Sequence, residues 1–139
     1  MIEVLKRLGF VDLHAAIREK VESRTGQKCL DAVPKSQPSP FYYAEIVGKE
    51  ADNTKTMWCD TFLVYIHAIA EPNKGSGQIY ELIEKLEESL TEKISLPEGF
   101  NLVMQTEQGL VSLKTDETGE KHAVLAYSFK VCYGFKIKI

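Results

Sequence analysis

Residues 58–90 read WCDTFLVYIHAIAEPNKGSGQIYELIEKLEESL, and this stretch decides the fold class because it holds a strand, a break and a helix. Residues 58–70 are apolar on both faces when read with the period of two of a β-strand, which is typical of a covered strand. Residues 71–75 contain proline, asparagine and glycine and therefore predict a turn. After Ser76, a suitable N-cap, apolar residues recur at the spacing of one helix face, so we predict an amphipathic helix that ends before Pro97.

The chain before this stretch predicts one helix and one strand. A helix is expected over residues 12–25, with Asp12 as its N-cap and Gly26 as the residue that ends it. Residues 41–47, FYYAEIV, are rich in aromatic and β-branched side chains and predict a strand. Residues 49–55 are polar and predict the hairpin loop that leads to the next strand.

The chain after the second helix predicts a β-hairpin. Residues 101–106 and 110–114 are strand-like pieces around Gly109, which indicates one strand with a bulge or a tight turn. The last strand keeps apolar side chains on one face over residues 123–139, which is much longer than the usual strand of about five or six residues. Something must therefore cover this long apolar face.

The order α-β-β-α-β-β, with a long final strand, predicts an α+β fold. Each helix has a single apolar stripe, so both helices should pack side by side on one face of a mainly antiparallel sheet. The length of 139 residues is close to that of a common domain, and no repeat or change in composition marks a boundary. We expect residues 1–139 to form a single domain.

The composition is that of a soluble globular protein, with 44% hydrophobic residues, 27% charged residues and a net charge of −3. The weak negative charge argues against a dedicated nucleic-acid-binding protein. Residues 1–9 carry charges where a signal peptide needs an apolar run, and no apolar run reaches the ~20 residues of a membrane helix. The three widely separated cysteines, Cys29, Cys59 and Cys132, predict free thiols in a reducing cytoplasm.

The sequence contains no pattern that is typical of a catalytic, metal or cofactor site. His14, His67 and His122 have no second ligand at metal-site spacing, so surface or hydrogen-bonded structural histidines are expected. A catalytic pairing of Cys59 with His67 stays open. The same holds for Cys132 with His122, although nothing in the sequence activates either thiol. We therefore predict that the chain is not an enzyme and has no catalytic, cofactor-binding or metal-binding residues.

Aromatic side chains are the strongest candidates for contacts with a partner protein. Such residues are enriched at interfaces, but a small sheet protein also needs them in its core, and the sequence pattern does not separate the two roles. The candidate interface residues are Phe41, Tyr43, Trp58, Tyr65, His67, Tyr127, Phe129 and Tyr133.

An amphipathic helix that ends near Thr25 and Gly26, and four segments that follow it in order, resemble the tail terminator family of long-tailed bacteriophages, together with related prophage minor tail and neck proteins. The first is CLDAVPKSQPSPFYYAEIVG at residues 29–48, in which an extended, proline-containing stretch leads into a strand. WCDTFLVYIHAIAE at residues 58–71 is similar to the family's long strand, and GSGQIYELIEKLEESL at residues 75–90 to its second helix. VSLKTDETGEKHAVLAYSFKV at residues 111–131 resembles the closing hairpin.

This resemblance implies a structural protein that forms a closed ring, usually a hexamer. The ring would cap the last ring of tail-tube subunits, end tube polymerisation and provide the surface that joins the head. The implied partners are other copies of the chain, the tail-tube protein and a head-completion or connector protein, with DNA passing through the ring without specific binding. The implied locations are the host bacterial cytoplasm during assembly and then the tail of the virion.

Within this interpretation, four regions are expected to make contacts. Residues 123–139 and 62–70 are candidates for contacts between copies, because they carry more apolar sheet surface than so small a chain needs. The polar loops at residues 49–55 and 114–121 are candidates for ordering on the tail tube.

Two alternatives stay open from the sequence. One is a small α+β ligand-binding domain or enzyme with a pocket between sheet and helices, into which Tyr65, His67 or Cys59 would point. The other is a different neck or connector protein of the same phage module, since such proteins share their architecture and differ in the partner they meet.

Overall fold

The computed structural model describes residues 5–33 and 37–136. Within these residues two helices and five strands form an α+β fold, as the sequence predicts. In chain order the elements are α1 (Phe10–Thr25), β1 (Cys29–Leu30), β2 (Phe41–Ala51), β3 (Met57–Ile69), α2 (Gly77–Ser89), β4 (Asn101–Thr115) and β5 (Lys121–Phe135).

The five strands form one sheet in the order β1-β2-β3-β5-β4. Every neighbouring pair is antiparallel except β1 and β2, which are parallel. The two-residue strand β1 was not predicted, because its sequence is too short to show a period of two. It makes one edge of the sheet, and β4 makes the opposite edge.

The first helix begins earlier than predicted. Gly9, and not Asp12, occupies the N-cap position. Asp12 lies in the first turn, where its negative charge interacts favourably with the helix dipole. Gly26 ends the helix as predicted: it has a φ of 76°, which glycine adopts without strain, and its N–H donates to the carbonyl of Glu22 at 3.0 Å.

The second helix begins directly after Ser76, as predicted, but the Ser76 hydroxyl makes no capping hydrogen bond. The glutamine Gln105 of β4 instead secures the chain that follows the helix. Its side-chain amide donates to the carbonyls of Leu90 and Glu92 at 2.9 and 2.8 Å, and its oxygen accepts from the N–H of Ile94 at 3.0 Å. These bonds supply partners for backbone groups that the helix end leaves unpaired.

The ends of β2 and β5 differ from the prediction. The strand β2 continues to Ala51, where it pairs with Asp60, so the predicted loop at residues 49–55 begins three residues later. The strand β4 runs through Gly109 with a register shift beside it, so the predicted single strand with a bulge is confirmed. The strand β5 ends at Phe135, and the predicted continuation over residues 137–139 lies outside the described residues.

Both helices pack on one face of the sheet, where alternate strand residues form the core. This face of β3 presents Phe62, Val64 and Ile66, and the same face of β5 presents Leu125, Tyr127 and Phe129. The apolar stripes of the helices cover them with Leu13, Ile17, Val21, Ile79, Leu82 and Leu86. Each such side chain stabilises the fold by roughly 1.5–3 kcal/mol when it is fully buried.

Two polar contacts join elements that are distant in sequence. The Tyr42 hydroxyl donates to the Leu82 carbonyl at 2.7 Å and so connects β2 to α2 inside the core. Near the N-terminus, the Arg7 guanidinium forms an ion pair with Asp60, whose carboxylate is almost fully buried. This pair fixes the chain that precedes α1 against β3. Of the described helices, none is both long and apolar enough to cross a membrane.

Candidate assembly surfaces

The sheet face opposite the helices carries three of the candidate interface residues, Tyr43, Tyr65 and His67. Strand residues alternate between the two faces, so Tyr43 and Glu45 on β2 and Tyr65 and His67 on β3 lie on this second face, which we call the open face. Ala126 of β5 lies opposite Tyr65 on the same face. Within the described residues, neither helix covers the open face.

A hydrogen-bonded histidine pair lies on the open face, near the end of β3 and the start of β5. His67 Nδ1 is 2.8 Å from His122 Nε2, and His67 Nε2 is 3.1 Å from Glu45 Oε1. Because a carboxylate only accepts, His67 Nε2 carries the proton that is shared with Glu45, and in the neutral ring Nδ1 accepts from His122. The Tyr43 ring stacks on His67, with 4.0 Å between ring centroids and 5° between the planes.

The surroundings of this pair shift two pKa values. Burial and the electrostatic interaction with His67 lower the pKa of His122, and the opposing effects of Asp116 and Glu120 are smaller. Burial raises the pKa of Tyr43. The sequence could not reveal the pair, because it depends on the register between β3 and β5. The expectation of hydrogen-bonded structural histidines is confirmed for His67, which is almost fully buried.

The prediction of three free thiols is wrong, because Cys59 and Cys132 form a disulfide. They lie directly opposite each other on β3 and β5, 73 residues apart in sequence, and this register could not be predicted from spacing. Neither sulfur is therefore available for the catalytic pairings with histidine. Cys29 is free and buried, and burial raises its pKa to about 12.

Two of the candidate interface residues lie in the core. Tyr127 and Phe129 are on the apolar face of β5 as the alternation predicts, but the helices of the same chain cover that face. They are therefore not available to a partner. Phe41 is also nearly fully buried, at the end of β2 beside Tyr43.

Trp58 and Tyr133 lie together at the other end of the sheet, near the start of β3 and the end of β5. Trp58 is 40% exposed and Lys136 places its amino group 5.1 Å from the indole centroid, while Arg7 lies over the Tyr133 ring at 5.4 Å. Phe135, beside them, is 74% exposed. These contacts form an exposed aromatic and basic cluster.

The structure contradicts the predicted pocket between sheet and helices into which Tyr65, His67 or Cys59 would point. Tyr65, His67 and Cys59 all lie on the open face, away from the space between sheet and helices. That space is filled by buried apolar side chains. Among residues 5–33 and 37–136, no three histidine, cysteine, aspartate or glutamate side chains are grouped so that they could hold a metal ion.

The edge strand β4 presents apolar side chains that the sequence analysis did not select. Three register shifts leave Val103, Gln108 and Val111 without a direct partner on β5. Val103 and Val111 are 49% and 54% exposed, and neighbouring Leu110 is 50% exposed. A bulge redirects side chains and interrupts the hydrogen-bonding ladder. The signal in the sequence was the apolar Leu110–Val111 pair beside Gly109, which breaks strict alternation.

The opposite side of the sheet, at the start of α1, also has exposed apolar side chains. Val11 is 82% exposed and Phe10 is 53% exposed, and Val47 of β2 is 41% exposed. The Lys49 amino group lies 5.5 Å from the centroid of the Phe10 ring. The chain thus has separate apolar patches at two opposite sides.

A family model with the description "Putative tail termination protein" matches residues 4–139. The chain belongs to this phage tail terminator family. A tail terminator is a structural protein of a phage tail, which agrees with the resemblance found in the sequence. No curated protein sequence matches the chain.

The chain is also similar to a solved structure. That chain comes from a structure titled "Virion of native gene transfer agent (GTA) particle", with a TM-score of 0.58 and 15% sequence identity. The likeness covers 88% of this chain and 96% of the other chain. At this identity it shows that the two chains share a fold.

Proposed function

We propose that this chain forms a closed ring, a hexamer in our expectation, that caps the tail tube. The ring ends polymerisation of the tube and gives the head its joining surface. The whole of residues 1–139 acts as one domain in this role, and the protein has no enzymatic activity. Assembly takes place in the host bacterial cytoplasm, and the ring then remains in the virion tail.

The observation that carries this proposal is the pair of apolar patches at opposite sides of the sheet. Val111 represents the patch on β4, and Val11 represents the patch at the start of α1; both side chains are more than half exposed. Two different patches on one subunit give a head-to-tail contact, and such contacts close into a ring when the rotation between subunits allows it. Membership of the family across residues 4–139 supports the same role.

The remaining exposed groups are proposed to meet the other partners. The loop at residues 52–56 and the turn at residues 116–120 lie at opposite ends of the sheet, so one of them would order on the tail-tube protein and the other would face the connector protein. The Trp58 and Tyr133 cluster lies at the same end as the first of these loops. Of the open-face candidates, Tyr43 and Tyr65 are retained as contacts to a tube or connector protein, whereas His67 is nearly buried beneath Tyr43 and is not.

Light scattering during size-exclusion chromatography tests ring formation. The full chain should give one discrete species of about six times 15.7 kDa over a wide range of protein concentration. A broad, concentration-dependent mixture of masses would contradict a closed ring, because open head-to-tail assembly has no preferred size. A single species at 15.7 kDa at every concentration would contradict ring formation by the free protein.

A further inference from the structure

Resting on the ring proposed above, we propose which surfaces join its subunits: the β4 surface of one copy packs against the α1–β2 surface of the next copy. The β4 surface consists of Val103, Val111 and the carboxylates Glu87 and Glu107. The α1–β2 surface consists of Phe10, Val11, Val47 and Lys49. The occupant of each surface is a second copy of this chain.

The form of the β4 edge favours contact through side chains. A regular edge strand invites another strand to add to it, but three bulges in β4 interrupt the ladder that such a strand would need. The same bulges leave Val103 and Val111 about half exposed. Apolar side chains of this size on an edge that cannot extend the sheet are suited to packing against another surface.

The charges on the two surfaces are complementary. Glu87 of α2 lies beside Glu107 of β4, and the pKa of Glu87 is raised by burial and by its contact with Glu107. Two neighbouring carboxylates favour the approach of a cation. On the α1–β2 surface, the Lys49 amino group lies over the Phe10 and Phe62 rings and 3.9 Å from Asp60. Asp60 already has Arg7 as its closer partner, so Lys49 can also serve a neighbouring copy.

The order of the strands in the sheet also fits this arrangement. The strand β4 is separated from β2 by β5 and β3, and every step between them is antiparallel. When strands run along the ring axis, rotation about that axis brings β4 of one copy beside the outer side of β2 in the next. The β2 residues 44–51 pair only with β3 within the described residues, so this side of the strand is open to a neighbour.

Two substitutions at exposed positions test the proposal by mixing. Val111→Asp disables the β4 surface and Val11→Asp disables the α1–β2 surface, and each variant alone should elute at 15.7 kDa where the unmodified chain forms a ring. An equal mixture of the two should give a species of twice that mass, because each pair retains one intact junction. Phe135→Asp, at an exposed position outside both surfaces, should keep the full ring mass.

Other outcomes would overturn the proposal. A valine variant that still forms the full ring would show that its surface lies outside the junction. A dimer formed by Val11→Asp alone would mean that β4 surfaces pair with each other. A mixture that stays at the monomer mass, or an unmodified chain that never assembles, would also refute it. Thermal unfolding of each variant verifies that it folds. The capping role has its own readout in tail length, so failure of these junctions is distinguishable from failure of the proposed function.

Discussion

His67 and His122 share a hydrogen bond across β3 and β5, with 2.8 Å between Nδ1 of the first ring and Nε2 of the second. Glu45 accepts from the far side of His67, and Tyr43 stacks on its face. The arrangement satisfies a nearly buried imidazole on an otherwise open sheet face.

This pair predicts a pH dependence of stability. Because the pKa of His122 is lowered in the folded state, the unfolded chain binds a proton first as the pH falls below about 6.5. The contribution of His122 is fully present above that pH and is lost as the pH falls toward the lowered pKa. Thermal unfolding at pH 7.5 and 5.5 should show a smaller loss of Tm for His122→Gln than for the unmodified chain. His14→Gln, on α1, is the control; an equal loss in all three proteins would refute the prediction.

The disulfide between Cys59 and Cys132 predicts a large effect of reduction on stability. The bond closes a loop of 73 residues, and the chain-entropy model assigns such a loop about 4 kcal/mol. Reduction, or the double substitution of both cysteines by serine, should lower the free energy of unfolding by roughly 2–4 kcal/mol in urea titrations. Before reduction, the unfolded chain should expose one thiol to alkylation, that of Cys29. After reduction it should expose three thiols. Three reactive thiols without reductant would contradict the bond.

Two buried tyrosines should respond differently to loss of the hydroxyl. Tyr42→Phe removes the hydrogen bond to the Leu82 carbonyl and should cost about 1 kcal/mol. Tyr127→Phe is the matched control, because its hydroxyl has no hydrogen-bond partner among the described residues. It should be neutral or slightly stabilising. Chemical denaturation measures the free energy of unfolding of both variants. Equal losses would show that the effect of removing the hydroxyl does not depend on its hydrogen bond.

The carboxylates Glu87 and Glu107 should destabilise the subunit at neutral pH. A pKa of Glu87 that is raised in the folded state means that folding loses stability as the pH rises through that value. Glu107→Gln should therefore increase the free energy of unfolding by roughly 0.5 kcal/mol at pH 7, with no gain at pH 4. Glu117→Gln, in the turn between β4 and β5, controls for removal of one negative charge. A gain of the same size at pH 4 would argue against repulsion as the cause.

Periodicity was sufficient for the helices and the long strands. The apolar stripe from Ile79 to Leu86 and the alternation through Leu125, Tyr127 and Phe129 each report which residues share a face. These patterns depend on neighbours in sequence, so they can be read from one chain. They fixed the α+β class and the position of both helices on one face of the sheet.

The candidate surfaces were less predictable, because they depend on contacts between distant residues. Alternation cannot say which sheet face the helices cover, and this is why Tyr127 and Phe129 were selected although they lie in the core. Strand register, over 73 residues for Cys59 and Cys132 and over 55 for His67 and His122, brings together side chains that have no local signature. Bulges in β4 likewise expose Val111 through a change of pairing.

Tail length in the virus that encodes this chain tests the central claim most directly. Electron microscopy should compare particles made with the gene intact, deleted, and deleted but supplied with the protein in trans. If the protein caps the tube, the deletion gives tubes that extend beyond the normal length and lack heads, and the supplied protein restores normal, joined tails. Tails of normal length attached to heads in the deletion would contradict the account.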